Sequence, residues 1–377
     1  MKIWILLCVN LIFCSNNANS QGVVVNFDLD TNSWNIGAPL ELWLRFLETK
    51  SDSAGSEYWN NAEVEKYGIE RYFGLKREID FGQRNYIDFL SYGNLRVLSI
   101  RERGEYFKIS NMLSFTNDDG GQDVYFLFHV YAGMELGKLK LFSALQINAQ
   151  QLSHQKVGFI TYYYPNSYEF DNEKAERQND FLVDLAANFN VPTVEVDYYF
   201  TETTEEIQRI KGFDYIFGDN GVNMPTGISY ISERQVFTNG SGEYYPHEII
   251  HVLLNPHFPK SHYWINEGIA TYFGMSRGKE LNWHLKKLQS HLLAHPEVDL
   301  SDMLKLIRID GTTGYSYVLG GFIVKSIFED GGYPMLKMVM NEGRSDTDFY
   351  RIIKEYMGVT RKDIDSVFRE RIGALQL

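Results

Sequence analysis

Cysteine is almost missing from this chain. There are two in 377 residues, Cys8 and Cys14, and both sit at the very start. A chain with no cysteine beyond residue 14 cannot be stapled by internal disulfides, which excludes a small disulfide scaffold. Positive charge is also scarce. Lys and Arg total 36 against 49 Asp and Glu, a formal charge of -13, and no basic block offsets it. Nucleic acid is therefore not expected as a partner, because its phosphates select for clustered Lys and Arg. After the first segment no apolar run approaches the roughly 20 residues that a membrane span needs. Internal repeats and low-complexity tracts are absent too. What is present is a 15% share of aromatic residues, which favours an ordered chain containing β-structure. The length allows one large core or two moderate ones.

Residues 1–20 have the layout of a secretory signal peptide. Met1-Lys2 supplies one positive charge, Ile3 to Cys14 is apolar, and Ser15 to Ser20 is a polar exit with small residues. Ala18-Asn19-Ser20 suits cleavage before Gln21. The expectation is an exported protein, periplasmic or secreted, and not a membrane-spanning one. Phe13 before Cys14 is too bulky for the usual lipidation signal, which disfavours a lipid anchor.

The pattern of the remainder predicts an α+β protein in two parts. Over 21–150, helices are predicted at Leu40 to Lys50 and Ala62 to Phe73. Strands follow at Leu95–Arg101, Glu105–Ile109, Asp123–Tyr131 and Lys138–Phe142, with Asn117–Gly121 as a turn. Helices followed by an antiparallel sheet resemble the NTF2-like domain in element order. His129 lies in one of these strands and reads as a packed or surface residue. Over 151–377, strands are predicted at Val157–Tyr164, Val194–Phe200 and Gly227–Ser232, with helices at Asn172–Asn188 and after Thr203 or Thr204. These make a mixed sheet. From Trp264 onward the chain reads as mostly helical: Trp264–Met275, Leu281–Ala294, Tyr317–Glu329, Tyr333–Asn341, Asp346–Met357 and Arg361–Ile372.

The most informative stretch is Tyr244-Tyr245-Pro246-His247-Glu248-Ile249-Ile250-His251-Val252-Leu253-Leu254. It contains H-E-x-x-H. On a helix, residues four apart share a face, so His247 and His251 can offer two imidazole nitrogens to one zinc ion. Glu248 stands on the adjoining edge, placed to move a proton rather than to ligate. The surrounding apolar residues predict a buried helix, and buried imidazoles need a partner. Pro246 suits the first turn. His291 and His295 are also four apart, but Leu292 stands where the glutamate would be, and the pair reads as a plain helix face.

A catalytic zinc takes three protein ligands and keeps one position open. His257 has the spacing of H-E-x-x-H-x-x-G-x-x-H, but Leu254 replaces the glycine that lets the backbone turn there. Glu267 is the better candidate. It lies in Trp264-Ile-Asn-Glu-Gly-Ile-Ala-Thr-Tyr272, where Gly268 and Ala270 allow a second helix to pack close.

H-E-x-x-H followed by N-E-G-x-A resembles the gluzincin metallopeptidases, particularly the aminopeptidase N-like and peptidase MA-like group. The resemblance covers about residues 157–375. It implies a zincin-type catalytic domain, Zn2+ held by His247, His251 and Glu267, Glu248 as general base, and a peptide or protein substrate. It also implies a transition-state tyrosine in Y-x-x-G. Tyr317-Val318-Leu319-Gly320 matches, while Tyr315, the rival, lacks the glycine three places on. Aminopeptidases of that group carry a G-x-M-E-N strand whose glutamate holds the substrate amine, and Gly227 to Glu233 has no such motif. That segment reads either as an ordinary strand or as an edge that a bound peptide pairs with. An exported zinc-containing binding protein without turnover is the alternative. The intact Glu248 argues against it, since a structural site needs no base.

Overall fold

The computed structural model describes residues 23–26, 29, 35–49, 55–67, 93–217 and 224–376. The expected signal segment 1–20 lies outside them, as does the end of the helix predicted over Ala62 to Phe73. The chain divides into two compact units. The first comprises Met1–Asn60, Glu70–Leu141 and Tyr215–Phe217; the second comprises Asn61–Ile69, Phe142–Asp214 and Gly218–Leu377. The division after Leu141 precedes the sequence-based boundary at 150/151. The helix Ala144–Ala149 accounts for the difference: Leu145 and Ala149 pack on Tyr199, Ile207 and Phe237 of the second unit.

In the first unit, apolar alternation builds a sheet. Strands Asn94–Arg103, Tyr106–Thr116 and Gln122–Glu135 pair antiparallel. Leu95 and Val97 are buried at period two, and the step to Ile100 crosses a bulge between Val97 and Ser99. The strand Lys138–Phe142 follows on one side, and on the other Val24–Val25 pairs parallel. The sheet is therefore mixed, where the sequence reading had it purely antiparallel. The helix Gly37–Leu47 buries Trp43 and Phe46, which gather with Trp59 in ring contacts of 5.5 and 5.4 Å. Trp43 Nε1 donates to Asn111 Oδ1 at 2.9 Å, satisfying the polar atom that burial would otherwise strand.

The second unit is built on a five-stranded mixed sheet. Its order is Thr226–Tyr230, Gln235–Asn239, Val196–Thr201, Ile160–Tyr164 and Ser153–Val157. The inner three run parallel, and each outer strand is antiparallel to its neighbour. Thr226–Tyr230 is thus an edge strand, ending before the Ser232 expected from sequence. The predicted strand Val157–Tyr164 is in fact a hairpin, turned at Gly158 with φ 56°. Tyr162, Tyr198, Phe200 and Val236 cover one face beneath Leu182, Ile249 and Val252. Tyr199 and Phe237 cover the other beneath Ile207. The helix Asn172–Phe189 starts on an Asp171 cap and ends on Asn190 with φ 53°. Thr203 and Glu206 form a reciprocal capping box for Thr204–Lys211.

The C-terminal half is helical. It packs Ile265, Ile269, Leu285, Leu288, Leu319, Ile323, Ile353 and Phe368 into one core. The two helices predicted at Tyr317–Glu329 and Tyr333–Asn341 occupy the span Tyr315–Val339 and are separated by a non-helical kink at Gly332, φ 59°. Among the described residues no helix is long and apolar enough to cross a membrane.

Candidate metal centre

The helix Pro246–Leu254 has Pro246 in its first turn and all nine residues buried. Full burial suits its five aliphatic residues. It is costly for His247, Glu248 and His251 unless their polar atoms find partners. One partner is explicit: His247 Nδ1 donates to the Met275 carbonyl at 2.7 Å. A carbonyl can only accept, so this bond fixes the tautomer and leaves a lone pair on Nε2.

That lone pair faces two other ligand-type atoms. The Nε2 atoms of His247 and His251 lie 3.3 Å apart. Glu267 Oε2 is 3.3 Å from the first and 3.7 Å from the second. It is buried and accepts no hydrogen bond. Among the described residues, His247, His251 and Glu267 are the one group of three or more His, Cys, Asp or Glu placed to hold a metal ion. No family model and no curated protein matches this chain. What the site can do follows from its own geometry.

An ion bonded tetrahedrally at about 2.0–2.2 Å has its ligand atoms roughly 3.3–3.6 Å apart; two of the separations, 3.3 Å each, fall in that range and the third, 3.7 Å, is just beyond it. The electrostatics agree. Burial alone would keep the His251 imidazole neutral, but the facing Glu267 carboxylate outweighs it, and the pKa is raised to about 9. Burial pushes the Glu267 carboxyl up, yet the two imidazoles hold it well below the usual carboxylate range. Without a metal, then, the pocket favours a proton in the place a cation would take.

Glu267 reaches this point because two helices nearly touch. It lies on Tyr263–Ile269, which crosses Tyr315–Val339 at Gly268 and Gly320. A Cβ on Gly268 would stand 2.4 Å from the Gly320 carbonyl oxygen, and one on Gly320 would stand 2.5 Å from the Trp264 carbonyl oxygen. The glycine after Glu267 and the glycine three places after Tyr317 are thus the contact itself. The helical path then loosens to a π-turn over Ala270–Gly274, a feature common at functional sites. This brings Gly274 against the start of the His247 helix, where a Cβ would meet His247 N at 2.9 Å. The carbonyl of the next residue, Met275, is the one that orients His247.

Tyr317 also joins the site. Its ring centroid is 5.8 Å from that of His247. The Glu267 charge and burial both raise the phenol pKa, so it remains an O–H donor. Tyr315 is turned elsewhere, with its hydroxyl 3.0 Å from His291 Nε2. His257 is exposed in the loop after the helix and takes no part in the cluster. His129 is buried in the first unit's sheet. Asn266 buries its Oδ1 without a donor and is not among the ligand atoms.

Three contributors were not legible as such in the sequence. Tyr245 lays its ring 6.0 Å from His247, centroid to centroid. Gly227 of the edge strand passes so close that a Cβ there would stand 2.6 Å from Glu248 Cγ and 2.8 Å from Tyr245 Cε1. His284 is wholly buried and spans two loops: Nε2 donates to Ser276 O and Nδ1 meets Thr313 Oγ1, each at 2.9 Å. Only Gly227 carried a signal, as a glycine within a strand, which marks close approach of another group.

Proposed function

We propose that this chain is an exported zinc-dependent peptidase with a gluzincin-type catalytic domain. The observation that carries the reading is the buried Glu267 oxygen, without a hydrogen-bond donor, facing two imidazole nitrogens at 3.3 and 3.7 Å. Two imidazoles and one carboxylate are the donor set of a zinc site that leaves a position open. Bound zinc supplies a Lewis acid that polarises a carbonyl and brings the pKa of water toward neutrality. Glu248 does not ligate; it takes the proton from the attacking water and passes it to the departing amine. The Tyr317 hydroxyl donates to the carbonyl oxygen as negative charge builds there. Gly227, having no side chain, lets the edge strand pass beside Glu248, so a peptide paired along Thr226–Tyr230 has its backbone at the base.

The strand departs from the aminopeptidase pattern. Gly227-Ile228-Ser229-Tyr230 offers no carboxylate for a free amine. Cleavage within a peptide is therefore the better-supported mode. Export rests on the layout of residues 1–20, and the NTF2-like comparison for the first unit rests on element order alone.

Zinc stoichiometry measured beside a peptide-library digest tests this reading. The purified protein is expected to hold one zinc and to cleave. Glu248→Gln should keep the zinc and lose about two to four decades of turnover, while His251→Ala should lose both. Full turnover in Glu248→Gln would remove the mechanism. Zinc with no cleavage of any peptide would make the chain a binding protein instead.

A further inference from the structure

We infer that Arg277 determines specificity at this site by binding a carboxylate of the substrate, on an acidic side chain or at a free C-terminus near the scissile bond; the inference rests on the peptidase reading above. Ser276 and Lys279 exchange two backbone hydrogen bonds of 2.9 Å each. Between them, Arg277 and Gly278 both have positive φ, 53° and 69°, the geometry of a tight two-residue turn. The turn is pinned to the site at three points. Just before it, the Met275 carbonyl accepts from His247. The Arg277 N–H itself donates to the Tyr245 hydroxyl at 3.3 Å. Gly278 rests on Pro225, immediately ahead of the edge strand, where a Cβ would stand 3.2 Å from Pro225 Cβ.

The backbone of Arg277 is therefore anchored, but its side chain holds no partner among the described residues. Among the described residues its guanidinium has no carboxylate within ion-pairing distance and makes no hydrogen bond. Arg351, Arg361 and Arg369 of the same unit are all paired. The residue is half-buried, and its donors are left to water. A planar, permanently charged fork, unpaired among the described residues and carried on a turn pinned to His247, Tyr245 and Pro225, matches a carboxylate in shape and charge.

Matched peptides test it: a neutral parent, versions with Asp or Glu at each position flanking the cleaved bond, and each of these as C-terminal acid and amide. The wild type should cleave at least one carboxylate-bearing peptide roughly ten- to a hundredfold more efficiently than the parent. In Arg277→Gln that ratio should fall to near one. Arg277→Lys should restore part of it, and Arg277→Glu should reverse it toward a Lys-bearing peptide. Loss of the preference on amidation identifies the C-terminus as the source, and loss on side-chain replacement identifies the acidic residue. A wild type without preference overturns the inference. So does a ratio that survives in Arg277→Gln, including the case where both peptides slow equally because the turn acts only through Tyr245. Anisotropy of the same peptides on Glu248→Gln, with and without Arg277→Gln, separates the two claims. Carboxylate-dependent binding without any cleavage in the wild type retains Arg277 and sinks the peptidase. Cleavage without discrimination does the reverse.

Discussion

Tyr315 and Tyr317 stand two residues apart at the start of one helix. At 100° per residue their side chains leave the axis on nearly opposite sides, so one faces His247 and the other His291. Tyr317→Phe should lower kcat by about two to three decades while zinc content is kept. Tyr315→Phe should cost about 0.5–1.5 kcal/mol of stability through its lost hydrogen bond and leave kcat nearly as it was. Kinetics and denaturant unfolding of both variants check this, and equal losses of kcat would count against the role of Tyr317. His284 sets a different expectation. Burial depresses its pKa in the fold, below the unfolded value of about 6.5. The unfolded chain then binds more protons, so this contribution is intact above about pH 6.5 and is lost as pH falls below it. His284→Gln can still donate to Ser276. It should flatten the acid side of the stability curve by up to about 1.4 kcal/mol per pH unit, as read by unfolding at a series of pH values. An unchanged acid slope would mean that His284 does not titrate there.

Helices, not single residues, set the distance between Glu267 and the imidazoles. The crossing of Tyr263–Ile269 with Tyr315–Val339 has no room for a methyl group at Gly268, since the obstruction is backbone. Gly268→Ala should cost about 1–3 kcal/mol and weaken metal affinity by moving Glu267. Gly373→Ala, with nothing within 4 Å of the new methyl, should cost nothing. Denaturant midpoints and zinc titrations of both measure the contrast. Comparable losses in the two variants would sink the account of the crossing. The same scale explains what could be read in advance. Leu281–Ala294 and Asp346–Met357 were legible to the residue; both keep the 3.6-residue period, and Ser345 and Gly358 mark the ends of the second. The strand Gln235–Asn239 was not. It is central, all five of its residues are buried, and it shows no alternation to detect. In the candidate site, His247, Glu248 and His251 follow from spacing within one helix and Glu267 from the small residues Gly268 and Ala270 beside it, while Tyr317 was reached only through the resemblance of Tyr317-Val318-Leu319-Gly320 to Y-x-x-G. The Met275 carbonyl had no signature, because every residue type supplies one. Tyr245 and Arg277 meet only through a tertiary return of the chain.

At the scale of the whole molecule, cysteine is confined to positions 8 and 14, so no disulfide can tie the folded units internally. In the second unit, a metal would do part of that work, joining the helix Pro246–Leu254 to the helix Tyr263–Ile269 across an intervening loop. A ligand bound only by the folded state stabilises it by about 2.7 kcal/mol at a hundred times its Kd. For a unit of this size that corresponds to a Tm shift of roughly 5–10 °C. Chelation should therefore lower Tm by about this much, zinc should restore it, and reductant should leave it unchanged. His251→Ala should abolish the response to both chelator and zinc, because the metal's gain depends on all three ligand atoms. The proton on His251 works against the metal, since burial is outweighed by Glu267 and that site stays protonated up to about pH 9 in the metal-free fold. The zinc-induced Tm shift should accordingly grow as pH rises from 6 toward 8 at fixed total zinc. Calorimetric scans with and without zinc across that range decide it, and a shift that is absent, or that survives in His251→Ala, would show that the three facing atoms are not what grips the ion.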